Sequence, residues 1–329
     1  MKVLVTGGAG FLGQRLARQL LARGRLSDSD GTRQTIDEVV LVDVVPANDF
    51  GDARVRVVTG DISDGALLRE SIDARTTSIF HLAAIVSGQA EADFDLGMRI
   101  NLDASRQLLE VCRSVGHKPK VVFTSSVAVY GGKLPEVVQD TTALNPQSSY
   151  GAQKAIGELL LNDFSRKGFV DGRVLRLPTI SVRPGKPNKA ASSFASGIIR
   201  EPLNGESSVC PVSPELRLWL LSPRRAIDSL IAGHELPAES FGDSRTVNLP
   251  GVSVSVGEMV AAFEKVAGAE AVSRITFAPD PAIERIVKSW PGAWDVTRAR
   301  ALGLSADADF ETIIRAYMED ELSPGKAAG

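Results

Sequence analysis

Short apolar runs alternate with longer helical patterns through the first half of the chain. Residues 3–6 form an apolar run that stops at glycines, after which Leu12, Leu16, Ala17, Leu20 and Leu21 recur at helical spacing. Residues 39–42 and 55–58 predict a second and a third strand, and residues 78–82 a fourth. The next helix carries Ile100, Ala104, Leu108, Val111, Cys112 and Val115 on or near one face. Residues 120–124 predict a fifth strand, 150–166 a helix and 173–177 a sixth strand. Strands that alternate with helices must pair in parallel, because each crossover needs a helix. Nearly continuous apolar strands also suit a sheet covered on both faces. The expected fold is therefore α/β, with a doubly wound parallel sheet.

After Pro178 the pattern changes. The stretch Arg183-Pro184-Gly185-Lys186-Pro187-Asn188-Lys189 is proline-rich and basic, and the elements beyond it are short and mixed. They include a helical run over residues 256–266 and the segment Trp290-Pro291-Gly292-Ala293-Trp294. We expect residues 1–178 to form one domain, with a later contribution from about residues 215–235. Residues 179–329 would mainly form a smaller, discontinuous C-terminal domain. Residues 25–37 are rich in Ser, Asp and Gly and predict a surface loop, and residues 323–329 a frayed tail.

Composition removes several functional classes. A formal net charge of -3 gives no basic surface for nucleic acid. No run reaches the ~18 apolar residues of a membrane span. The opening passes from Lys2 straight into a strand and a glycine turn, unlike a secretory signal, so the expected location is cytoplasmic. Cys112 and Cys210 lack metal-ligand spacing, and with three histidines in all no metal site is expected.

The glycine turn carries the first chemical signal. Thr6-Gly7-Gly8-Ala9-Gly10-Phe11-Leu12-Gly13 follows a strand and opens a helix. Glycines let the chain turn sharply and let a pyrophosphate approach the helix N-terminus, where free N–H groups and the dipole favour anions. The alternative is a tight strand–helix turn with no ligand. Asp43 ends the second strand, where an acid can accept from the adenosine ribose hydroxyls. The usual gap is ~20 residues, and the polar segment 25–37 accounts for the longer one here. Asp61 follows the third strand and either faces the adenine or caps the next helix.

The second signal is Tyr150-Gly151-Ala152-Gln153-Lys154, which sets a tyrosine and a lysine on one helix face. Tyrosine is a poor base at its free pKa of ~10. A neighbouring ammonium favours the phenolate, so the pair can take a proton from a substrate hydroxyl. Upstream, Phe123-Thr124-Ser125-Ser126-Val127-Ala128-Val129-Tyr130-Gly131 ends the fifth strand, and ligands bind at such carboxyl ends. Ser125 and Ser126 compete for the role of holding the reacting hydroxyl. Asn101 is a mediocre helix former inside a helix, suited to fixing a backbone distortion or a water near Lys154. His81-Leu82-Ala83-Ala84 ends the fourth strand with small residues that permit close passage of a cofactor.

Together these motifs resemble the extended short-chain dehydrogenase/reductases of the NAD-dependent epimerase/dehydratase family. The likeness runs along the whole chain to Asp295-Val296-Thr297-Arg298-Ala299-Arg300-Ala301-Leu302-Gly303. It implies a Rossmann-type sheet with a substrate domain, a homodimer, and Ser126, Tyr150 and Lys154 as the catalytic set. The cofactor implied is NAD, held by Gly7, Gly10, Phe11, Leu12, Gly13, Asp43, Asp61, Ile62, Leu82, Ala83, Ala84, Asn101, Tyr150, Lys154 and Pro178. The stretch from Leu175 to Ser192, with Leu218-Trp219-Leu220-Leu221-Ser222-Pro223-Arg224, is similar to the D-erythronate dehydrogenases, which oxidise a four-carbon sugar acid at C2. Nucleotide-sugar members usually carry Arg-Asp-aromatic and Val-x-Asp signals. Here Arg217-Leu218-Trp219 and Pro223 stand in their place.

The basic segment supports an acid substrate on separate grounds. Arg183, Lys186 and Lys189 lie in one proline-stiffened loop, and such cations bind a carboxylate, Arg bidentately and Lys as a point charge. Substrate contacts are expected from Ser126, Tyr150, Thr179, Arg183 and Lys186. The alternatives are a solvated basic loop, a nucleotide-sugar 4-epimerase using the same triad, and an NAD-binding regulatory protein without turnover.

Overall fold

Seven strands pair in parallel in one sheet, from Val55–Thr59 at one edge through Glu38–Asp43, Lys2–Thr6, Thr76–His81, Lys120–Ser126 and Asp171–Leu177 to Thr246–Asn248. This computed structural model describes residues 1–322; the segment 323–329, expected to fray, lies outside the described residues. Counted along the chain, the strand order is 3-2-1-4-5-6-7, the Rossmann order of 3-2-1-4-5-6 with one strand added. Side-chain alternation sorts two cores. Val3, Val5, Val39, Leu41 and Val122 face a layer containing Leu16, Leu20 and Leu230. Leu4, Val40, Val42, Ile79 and Val121 face one containing Leu68, Ala104, Leu108 and Leu161. Both faces are thus covered, which is why the central strands read as continuous apolar runs.

Three elements differ from the sequence expectation. Residues 25–37 are a hairpin, Arg25–Ser27 against Arg33–Thr35, rather than an irregular loop. Leu26 and Ile36 are buried against the first core and anchor it. Asp28 closes its turn by accepting from the backbone of Asp30 and Thr32. The sixth strand begins at Asp171, because Asp171 joins a buried ion cluster with Arg173 and Arg245 that apolar patterning does not register. The seventh strand, Thr246–Asn248, is three residues long with a single aliphatic side chain, too short to show a period.

Beyond Pro178, Arg217–Leu221 pairs with Thr179–Ile180 and with Val252–Ser255 in a three-stranded sheet. It therefore does not return to the large sheet, although the following helix Pro223–Glu235 does, through Ala226, Ile227 and Leu230. The helices Phe194–Leu203, Val256–Ala267 and Phe310–Tyr317 pack around a separate core. Ser255 and Glu258 form a capping box at the start of the second of these. Among the described residues, no helix is long and apolar enough to cross a membrane.

Candidate active site

A cleft of about 590 Å³ opens along the carboxyl ends of the central strands. Gly7, Gly10, Phe11, Leu12 and Gly13 form one end of its wall. Gly7 has a φ of +70°, and a Cβ there would lie 2.8 Å from the Ala83 nitrogen. A Cβ on Gly13 would collide with the Gly7 carbonyl. These two positions bring the turn against the Leu82–Ala83 backbone, which only glycine permits. Gly10 caps the helix Phe11–Arg23 without a side chain. The first-turn N–H groups therefore lie at the cleft without a side-chain cap, as a dinucleotide's pyrophosphate requires.

Asp43 lines the cleft at the end of its strand and accepts from the Ala9 nitrogen at 3.0 Å. Asp61 and Ile62 line it as well. Asp61 is not the helix cap; Asp64 is, accepting from the Ala66 nitrogen. Burial pushes the Asp61 carboxyl up, but bonds from Ser63 and from Arg99, whose Nη1 lies at 2.6 Å, outweigh it and hold the group below its ordinary range. Leu82, Ala83, Ala84, Pro178 and Thr179 complete the walls.

Asn101 stands behind the wall rather than in it. It lies in a π-helical turn, Met98–Asp103. Its Nδ2 donates to the Ile85 carbonyl at 3.0 Å and its Oδ1 accepts from the Ile85 nitrogen at 2.7 Å, so it pins the backbone of a residue that does line the cleft.

The catalytic candidates converge. Ser148 caps the helix Ser149–Arg166 and places Tyr150 and Lys154 one turn apart at its start. Ser126 and Tyr150 both line the cleft, and the Ser126 hydroxyl faces the Tyr150 phenol closely enough to favour its ionised form. Ser125 is engaged elsewhere: its hydroxyl donates to Glu158, which also takes two bonds from Arg176. The Lys154 Nζ donates to the Thr124 carbonyl at 2.9 Å and lies 5.7 Å from the Tyr150 ring centroid. Burial pulls its ammonium down to about 8, opposed by Glu158. Burial likewise pushes the Tyr150 phenol up to about 12, opposed by the Ser126 bond and by the charge of Arg183. Two cations therefore stand near the phenol: Lys154, one turn away on the same helix, and Arg183, which sequence reasoning did not connect with Tyr150.

Of the three basic residues expected together, only Arg183 lines the cleft. Lys186 and Lys189 are exposed on the loop, beyond the turn at Gly185 with its φ of +80°. The Arg183 Nη2 is enclosed and has no hydrogen-bond partner. Burial pulls the guanidinium down to about 10, with Arg200 acting the same way and Tyr150 opposing. An enclosed cation with an open donor beside the reacting hydroxyl is a receptor for an anion. Sequence reasoning missed Arg99, Asn188, Ser192 and the cleft position of Trp290. No periodicity marks the first three; Trp290 stood out only as a bulky aromatic beside Pro-Gly.

Residues 3–225 match the NAD dependent epimerase/dehydratase family, and the chain belongs to it. It is an NAD-dependent oxidoreductase of the extended short-chain type. The chain is 65% identical to a D-erythronate dehydrogenase of Cupriavidus necator, covering 97% of this chain and 98% of that one. It is 50% identical to a D-erythronate dehydrogenase of Haemophilus influenzae, covering 98% and 100%. Among solved structures, a nucleoside-diphosphate-sugar epimerase from Agrobacterium tumefaciens superposes with a TM-score of 0.91 at 44% identity, covering 98% and 94%. An L-threonine 3-dehydrogenase from Trypanosoma brucei superposes with a TM-score of 0.83 at 28% identity, covering 96% and 95%.

Proposed function

We propose that the protein oxidises the C2 hydroxyl of D-erythronate to 2-dehydro-D-erythronate, with NAD as cofactor. The observation that carries this reading is the open Nη2 donor of Arg183 beside Tyr150, which suits the carboxylate of a short acid. The names of the two relatives agree with it. Ser126 holds the reacting hydroxyl and Tyr150 removes its proton. Lys154 orients the site through Thr124 and adds positive charge. Bound NAD supplies the hydride acceptor. Gly7, Gly10 and the helix start would hold its pyrophosphate and Asp43 its adenosine ribose. Asp61 and Ile62 would lie at the adenine, and Leu82 to Ala84 with Pro178 along its length. Residues 1–178 form most of the cofactor domain in this reading and residues 179–329 most of the substrate domain.

NAD is preferred to NADP because Asp43 repels a 2′-phosphate and the neighbouring Val44 and Val45 offer no cation. The exposed Ile156 and Leu159, three residues apart on the helix Ser149–Arg166, support a homodimer through this helix and the one holding Asn101. Sedimentation at micromolar concentration checks it. We place the enzyme in the cytoplasm.

The decisive assay follows NADH absorbance with D-erythronate, L-threonate and a UDP-hexose offered separately, each with NAD and NADP. D-Erythronate with NAD should give the highest kcat/KM. Arg183→Ala should lose one charge-assisted hydrogen bond, worth ~1.5–3 kcal/mol, or roughly 10- to 150-fold in kcat/KM. No NADH from either four-carbon acid, with interconversion of UDP-hexoses, would make the enzyme an epimerase.

A further inference from the structure

A second hollow lies beside the cleft, and one side chain stands between them. This groove holds about 820 Å³ and is lined by Glu136, Glu215, Arg217, Lys288 and Gly292 among others. Trp290 lines both spaces, and no other residue does among those that form the two walls. The indole also packs on the core of the helices Phe194–Leu203, Val256–Ala267 and Phe310–Tyr317, and on the cluster of Val129, Tyr130, Trp219 and Trp294. Its segment is fastened on both sides. The Val138 nitrogen donates to the Ala293 carbonyl at 3.0 Å and the Asp295 nitrogen to the Val138 carbonyl at 2.8 Å. Ser253 Oγ donates to the Gly292 carbonyl at 2.7 Å. These bonds hold the backbone that follows Trp290, and the ring itself is held by its packing on the two apolar clusters.

The groove beyond is polar, and its two cations are matched. Arg217 pairs with Glu258 at 3.2 Å, and Lys288 with Glu284 at 3.0 Å. It therefore offers no unpaired cation to compete with Arg183 for a carboxylate, while Glu136 and Glu215, in no ion pair among the described residues, can accept from hydroxyls. In the reading proposed above, on which this inference rests, the carboxylate is held by Arg183 and the C2 hydroxyl by Tyr150 and Ser126. The remaining carbons must fit the space that Trp290 closes.

We propose that Trp290 is the chain-length determinant of this enzyme: its indole partitions the catalytic cleft from the polar groove and restricts the substrate to short hydroxy acids. Removing the ring joins the two spaces and lets the polyol tail of a five- or six-carbon aldonic acid extend into the groove. Pocket walls discriminate by roughly 10- to 200-fold per unaccommodated methylene-sized group.

The test measures kcat/KM for four-, five- and six-carbon aldonates with wild type, Trp290→Ala and Trp290→Phe. NADH binding and melting temperature of each variant are recorded beside it. Trp290→Ala should raise the six- to four-carbon ratio of kcat/KM by about tenfold or more, and Trp290→Phe, which keeps part of the wall, by less. An unchanged ratio in a folded, cofactor-binding Trp290→Ala overturns the proposal. If that variant fails to fold, a wild-type ratio in Trp290→Phe and in Trp290→Leu overturns it. A wild type inactive on every aldonate overturns the sugar-acid reading itself, a separate outcome.

Discussion

At the scale of single residues, the site works by placing ionisable groups where burial opposes their charge. Tyr150 is pushed up to about 12 and Lys154 down to about 8, both chiefly by burial. A phenol that holds its proton so firmly needs positive charge nearby before it acts as a base, and Arg183 already contributes. Tyr150→Phe keeps the ring and removes the transferable proton. It should lower kcat by ~10²–10⁴-fold while leaving NADH binding, read by fluorescence titration, close to wild type. Glu158 lies behind Lys154 and, among the described residues, raises its proton affinity. Glu158→Gln would leave burial unopposed, so Lys154 would lose its charge at lower pH. The kcat–pH profile for oxidation should then begin its alkaline decline earlier than in wild type, and Glu158→Asp should restore the original profile. Superimposable Gln and wild-type profiles would show that Glu158 serves to hold Arg176 and Ser125 and not to tune Lys154.

At the scale of elements, the π-turn Met98–Asp103 does what a regular helix would not: it sets Asn101 against the Ile85 backbone. Its Nδ2 also donates to Gln153 Oε1 at 2.7 Å, tying the loop to the helix of Tyr150 and Lys154. Asn101→Ala would strand the Ile85 nitrogen and carbonyl, both part-buried, and the buried Gln153 Oε1, at up to ~1–3 kcal/mol each. A lower melting temperature together with a raised KM for NAD is the expected result, and a wild-type KM would remove Asn101 from cofactor positioning. The same elements show what the sequence made legible. The glycine turn, Asp43 and Tyr150 with Lys154 were readable because each rests on spacing within one element or at its end. Asn101 was readable as an oddity, but not as a clamp on Ile85. Trp290 and the strand Thr246–Asn248 were not readable as parts of the cleft or sheet. Each reaches its place through contacts distant in sequence, and neither carries a period. Lys186 misled for the opposite reason, since a loop's charge pattern does not say which side chains turn inward.

At the scale of the whole molecule, the large sheet is clamped at its amino end by a buried polar network as well as by its two cores. His234 stacks on Phe80 with ring centroids 5.2 Å apart. Its Nδ1 lies 3.0 Å from Glu235 Oε1 and its Nε2 2.8 Å from Ser78 Oγ. A carboxylate only accepts, so Nδ1 carries the proton and the neutral ring accepts from Ser78. His81 bridges Thr6 and Ser105 nearer the cleft, at 2.7 and 2.8 Å. Ser105 gives its own proton to the Asn101 carbonyl, so His81 Nε2 donates to it and Nδ1 accepts from Thr6. Both rings are thus used as neutral ligands, and burial pulls His81 down to about 3 and His234 to about 4. In the unfolded chain they would protonate near 6.5. Between that value and the folded ones, the unfolded state binds more protons. Stability is therefore full above about pH 6.5 and falls as the solution is acidified below it. Each pH unit well inside the window removes about 1.4 kcal/mol per histidine. The carboxylates held low, Glu235 at about 2 among them, act in the same direction but only below their unfolded values near 4.5. Urea unfolding between pH 7.5 and 5 isolates the histidines. The midpoint should be flat down to about pH 6.5 and then fall, and His234→Gln should fall less steeply, with His81 and the half-buried His117, also pulled down by burial, accounting for the slope that remains. An equal slope in wild type and variant would place the acid sensitivity outside His234.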